Sequence, residues 1–134
     1  MAARFLLDTN IVSYLLKEQM PLLKARFLAM PAEDFAVSSI TEAELRYGIA
    51  KRPNSFKLSA AVDRFLSRVS VEPWDSATAA VYGPLRAAQE RRGLPLSVED
   101  LMIAAHALSL GLTLVTSDHA FSFVDGLRTE DWTR

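Results

Sequence analysis

Arg4-Phe5-Leu6-Leu7-Asp8-Thr9-Asn10-Ile11-Val12-Ser13-Tyr14-Leu15-Leu16 is the stretch whose reading decides the fold. Its apolar run from Arg4 to Leu7 stops at a polar trio, and Ile11, Val12, Tyr14, Leu15 and Leu16 then recur at helical spacing. The order is strand, turn, helix. The same order returns further on. Phe35-Ala36-Val37 reads as a second short strand, Ser38-Ser39 as a cap, and Ile40 to Ala50 as a helix ended by Pro53.

Working outward, Leu58, Ala61, Val62, Phe65 and Leu66 form another helical stripe, followed by a strand at Val69 to Val71 that Pro73 closes. Asp75 reads as the cap of a long helix over Ala77, Ala80, Val81, Leu85 and Ala88, with Pro84 as a kink and Gly93 as its stop. From Ser97 a helix rich in alanine and leucine continues to Gly111, and Leu112 to Val115 turns back to strand. Phe121 to Trp132 carries no clear pattern. Strands alternating with helices imply a mostly parallel sheet covered on both faces, because a parallel crossover needs room for a helix. The expected class is α/β, with one domain over residues 1–134 and no repeat or flexible linker inside it.

Bulk properties narrow the chemistry. Half of the 134 residues are hydrophobic, enough for one good core. No apolar run approaches the roughly 18 residues of a membrane span, and Met1 to Thr9 is unlike a signal peptide, so a cytoplasmic protein is expected. The absence of cysteine excludes disulfides, thiolate catalysis and sulfur-ligated zinc. Fifteen basic against sixteen acidic residues leave a net charge of −1, so nucleic acid would have to be held locally rather than by overall charge.

Four acids fall where an open α/β sheet collects its functional groups, at the carboxyl ends of strands. Asp8 follows the first strand, Glu44 lies in the first turns after the second, Asp118 follows the strand at Leu112 to Val115, and Asp100 opens the helix leading into that strand. Converging carboxylates repel each other and require positive charge. Oxygen-only ligands suit magnesium or manganese, which can acidify a water and neutralise a phosphate, so phosphodiester hydrolysis is the expected chemistry. Each acid also has a structural reading. Asp8 can serve only as a helix cap, and Asp118 only as a turn residue. Thr41-x-x-Glu44 and Ser39-x-x-Glu42 both match a capping box; if Ser39 is the cap, Glu44 is free. Ser97-x-x-Asp100 is a further capping arrangement, with Glu99 as the alternative functional acid.

Leu6-Leu7-Asp8-Thr9-Asn10, Ser38-Ser39-Ile40-Thr41-Glu42-Ala43-Glu44-Leu45-Arg46-Tyr47-Gly48, Asp100-Leu101-Met102-Ile103-Ala104-Ala105-His106-Ala107 and Leu114-Val115-Thr116-Ser117-Asp118 occur in this order, and Gly126-Leu127-Arg128-Thr129-Glu130-Asp131-Trp132 ends the chain. Together these segments resemble the PIN domain, specifically the VapC toxins of bacterial toxin–antitoxin pairs. The resemblance implies a parallel sheet of four or five strands between helices. It places the metal-binding catalytic acids on Asp8, Glu44, Asp100 and Asp118, with Thr9 and Thr116 supporting them, and magnesium or manganese as cofactor. It further implies an endoribonuclease acting on structured RNA, often transfer RNA, a homodimer, and inhibition by a VapB-like antitoxin whose arginine meets the carboxylates. In the branch with this ending, asparagines often follow the Val-Thr pair, where here Ser117-Asp118-His119 stands. A non-catalytic module binding RNA or a partner is the alternative. A phosphorylated receiver domain is disfavoured, since neither Val69-Ser70-Val71-Glu72-Pro73 nor Val115-Thr116-Ser117 supplies its acceptor Asp or its Lys.

His106, flanked by alanines, reads as a packed or hydrogen-bonded helix residue rather than a ligand, and His119 as solvent-facing. Arg46, Lys51, Arg52, Arg86, Arg91 and Arg92 are candidates for gripping RNA phosphates or for solvated faces. Trp74 and Trp132 are read as packing rather than as stacking platforms.

Overall fold

A computed structural model describes residues 3–94 and 96–134; Met1 and Ala2, the start of the segment read as unlike a signal peptide, and Pro95 lie outside them. Five parallel strands, β1 (Phe5–Leu7), β2 (Phe35–Ser38), β3 (Ser70–Glu72), β4 (Thr113–Val115) and β5 (Thr129–Glu130), form one sheet in the order β3-β2-β1-β4-β5. Six α-helices connect them: α1 (Thr9–Lys17), α2 (Pro21–Leu28), α3 (Ser39–Ala50), α4 (Phe56–Arg68), α5 (Ser76–Arg91) and α6 (Val98–Leu110). This is the α/β architecture that the alternation implies.

The central strand explains why three residues suffice to organise the sheet. Side chains alternate across a strand. Phe5 and Leu7 therefore join Ile11, Val12, Phe35, Val62 and Phe65 on one face, while Leu6 joins Ile103, Ala104, Ala107 and Leu114 on the other. All of β1 is buried, as parallel strands covered on both faces must be. On the α6 side the alanines let the helix lie close to the sheet. Gly111, at φ 70°, ends that helix in the left-handed region, where a glycine meets no Cβ penalty.

Two features, at α2 and in the final segment, depart from the sequence reading. Helix α2 has no counterpart in it: of its residues only Leu23 is buried, so the apolar period is faint, and Pro21 at the first helical position is the one local signal. Pro84 lies inside α5, which continues on both sides of it. The final segment contains a 3-10 turn at His119–Phe123 and then β5, where Leu114 N donates to Arg128 O and Thr116 N to Glu130 O. No helix among the described residues is long and apolar enough to cross a membrane.

Candidate active site

The chain fills β1, β2 and β3 in one direction and then returns to set β4 on the opposite side of β1. Connections leave these two neighbours in opposite directions, so a crevice forms beyond their carboxyl ends, where open α/β sheets bind ligands. Asp8 stands at the end of β1, and Thr116 and Asp118 follow β4.

Asp8 is nearly inaccessible, at 4% exposure, and caps α1. Its Oδ1 accepts from the Thr9 amide at 2.8 Å and its Oδ2 from the Thr116 hydroxyl at 2.9 Å. The same Thr116 oxygen accepts from the Asp118 amide at 3.1 Å. One hydroxyl thus joins the ends of two adjacent strands. Burial pushes the Asp8 carboxyl up from 3.8 to about 6; Thr116 and Thr9 hold it down, and Asp100 and Asp118 add repulsion. Asp100 is half-buried at the start of α6, where the Ser97 hydroxyl caps its amide at 3.0 Å. Its carboxyl is also raised by burial, against the Ser97 hydroxyl, with Asp118 and Glu99 contributing. Asp118 is exposed, and its Oδ1 accepts from the Ala120 amide at 2.9 Å.

Glu44 is placed differently. It is half-buried on α3, one turn beyond Thr41, and lines a groove with Thr9. The Thr9 and Thr41 hydroxyls lie 2.9 Å apart and tie α1 to α3. Thr9 therefore acts on the helix that carries Glu44. Among the described residues no three His, Asp or Glu side chains are close enough to hold a metal ion as they stand. The donor chemistry still fits a hard cation. It consists of carboxylates and hydroxyls; His106 is buried against Ser38, and His119 stands exposed in the loop after Asp118.

His106 is fully buried with its Nδ1 2.8 Å from Ser38 Oγ, and burial lowers its pKa against the pull of Asp75 and Glu72. His119 is exposed and meets the Phe123 ring edge-on. The capping question at α3 resolves on neither the Ser39 nor the Thr41 box. Ser38 is the cap, accepting from the Ile40 amide, while Ser39 Oγ receives the Trp74 amide and Thr41 is buried inside the helix. Glu44 is free of a capping duty, as the Ser39 alternative required, but through a cap one residue earlier. The Ser38–His106 pair went unread in the sequence because its members are 68 positions apart.

Trp74 donates its indole N–H to Met102 O, and Trp132 donates to Glu130 and packs on Phe5 and Phe35. Both serve packing. The exposed aromatics are Tyr47 and Phe56 on α3 and α4, together with Phe123. The basic residues divide as well. Arg46, Arg86 and Arg92 are paired with Asp63, Glu90 and Asp125.

The parallel sheet and the acids at its switch point define a class, and the PIN domain family model matches residues 5–127. The tRNA(fMet)-specific endonuclease VapC of Shigella flexneri is 39% identical over 130 residues, covering 96% of this chain and 98% of the relative. Ribonuclease VapC2 of Haemophilus influenzae is 38% identical with the same coverage. A chain of the DNA-bound VapBC of Salmonella typhimurium superposes with a TM-score of 0.90 at 37% identity, covering 97% of this chain and 98% of that one. The chain belongs to the PIN-domain family, in its VapC ribonuclease branch.

Proposed function

We propose that the chain is a toxin endoribonuclease that hydrolyses RNA phosphodiester bonds with magnesium or manganese, takes transfer RNA as its substrate class, and is restrained by a VapB-like antitoxin in the cytoplasm. The observation that carries this reading is the convergence of Asp8, Asp100 and Asp118 at the switch point, where burial first, and the two neighbouring carboxylates after it, push Asp8 up to about 6. Such a set favours a divalent cation over ionised carboxylates alone. The nuclease names of the relatives and the toxin–antitoxin assembly of the Salmonella neighbour support the same reading.

Asp8, Asp100 and Asp118 would hold the cation, with Glu44 approaching from α3. When bound, magnesium or manganese supplies charge neutralisation at the phosphate and acidifies water. The chain's own groups do the rest. Thr116 orients the Asp8 carboxylate by donating to Oδ2, and at the same time fixes the Asp118 backbone, so two acids keep one relative geometry. The Thr9–Thr41 contact sets the position of the helix bearing Glu44. No side-chain nucleophile is required.

The test incubates antitoxin-free protein with bulk bacterial transfer RNA in magnesium, manganese or EDTA, beside Asp8→Asn and Asp100→Asn. Discrete fragments that need the cation and vanish in both variants are expected. Undiminished cleavage by Asp8→Asn would sink the assignment of Asp8, and RNA bound but intact with either cation would make the protein a binding module.

A further inference from the structure

A groove runs from Thr9 and Glu44 along α3 to the α3–α4 loop, with Leu45, Leu58 and Val62 as its floor and Lys17, Lys51 and Arg52 at its sides. Among the described residues none of these three cations forms an ion pair, whereas Arg46, one turn before on α3, is paired with Asp63. Against the single acid that lines the groove, Glu44, these three unpaired cations leave a local excess of positive charge in a chain of net charge −1.

Gly48 lines the same groove. It sits inside α3, where glycine is a poor helix former, and a Cβ built on it would meet no atom within 4 Å. Packing therefore gives no reason for it. A reason exists if something else must approach the helix there. Beyond Arg52 the loop is braced, with the Ser55 hydroxyl donating to Ile49 O at 3.1 Å and Asn54 at φ 55°. This brace presents Phe56 at 81% exposure beside Arg52 and Lys57. Tyr47 is also exposed, with the Lys51 ammonium 5.1 Å from its ring centroid.

We propose that this groove holds single-stranded RNA leading away from the cleavage centre, with Lys17, Lys51 and Arg52 on its phosphates, Gly48 admitting the backbone, and Phe56 stacking a base. The inference rests on the ribonuclease reading above and adds to it a substrate track. Cations beside exposed aromatics are the combination that tracks a flexible strand, since every base has a face to stack and every linkage a charge. The same cations disfavour a basic peptide segment, such as one using arginine toward the acids, as the occupant.

The experiment uses the full chain carrying Asp8→Asn and a fluorescein-labelled oligoribonucleotide of mixed sequence, with binding followed by anisotropy across potassium chloride concentrations. Replacing Lys17, Lys51 and Arg52 together by alanine is expected to weaken binding and lower the steepness of its log–log salt dependence by about 2, roughly 0.7 per lost phosphate contact. Phe56→Ala should weaken binding about tenfold with the salt slope unchanged. Gly48→Leu should abolish binding while the thermal midpoint stays at or above that of the parent, as expected for a stronger helix former at an unpacked site. Parent-like affinity and slope in all three variants would overturn the proposal. So would variants that keep RNA binding but lose antitoxin capture or change oligomeric state, which would assign the surface to a protein partner. Cleavage separates the two readings. If Asp8→Asn abolishes cleavage while the groove substitutions, placed in the chain that keeps Asp8, bind and cut like wild type, the track fails and the nuclease stands. If no form cuts but the groove variants lose RNA, the reverse holds.

Discussion

Asp8 serves both as the cap of α1 and as the most perturbed acid of the site, so the two readings open to it in the sequence are both correct. Its carboxyl is raised from 3.8 to about 6, which means the fold prefers the protonated form. The stability this provides is fully present below about pH 4 and is lost as pH rises through 6, a loss of about 3 kcal/mol at most. In EDTA at pH 7.5, Asp8→Asn should therefore unfold at higher urea than wild type, with the gap closing toward pH 4. A wild type that is the more stable form at pH 7.5 would mean that the Thr9 and Thr116 hydrogen bonds outweigh the buried charge. The acids were legible one by one, because each follows a strand or opens a helix. Their supports were less so. Ser38 and Ser39 are equally good caps locally, and the choice falls to Ser38 because Ser39 is taken by the Trp74 amide.

Helix α3 links the acid site to the groove, and its start depends on a contact the sequence does not display. Ser38 Oγ both caps the Ile40 amide and meets buried His106, whose Nε2 makes no well-formed hydrogen bond among the described residues. Ser38→Ala removes a cap and leaves His106 Nδ1 unpartnered as well, so it should cost about 2–3 kcal/mol in urea unfolding. A cost below about 1 kcal/mol would mean that water or a rotated ring replaces the hydroxyl. The helices with a strong apolar period, α1 and α4, and α6, buried nearly all round and rich in alanine and leucine, were readable along with β1, β2 and β4. Helix α2 was not, because it buries Leu23 alone and borrows its stability from the surface it lies on.

At the scale of the whole molecule, one aromatic cluster closes the sheet face opposite α6. Phe5, Phe27, Phe35, Phe65 and Trp132 meet with ring centroids 4.6–6.0 Å apart, drawing in both ends of the chain. Trp132→Ala should cost about 3–5 kcal/mol and loosen β5, which precedes it. Rapid amide exchange at Leu114 and Thr116, which donate to Arg128 just before β5 and to Glu130 within it, would report the loosening; exchange as slow as in wild type would show that β5 holds without its anchor. The sequence by itself determined the α/β class, most of the elements and the four candidate acids, because hydrophobic period, caps and breakers act over a few residues. Only the tertiary structure decided which strands are neighbours, that Thr116 joins Asp8 to Asp118 across 108 positions of sequence separation, and that Glu44 stands with the groove. These are contacts between distant segments, and local periodicity carries no information about the partner a segment meets once the core is packed.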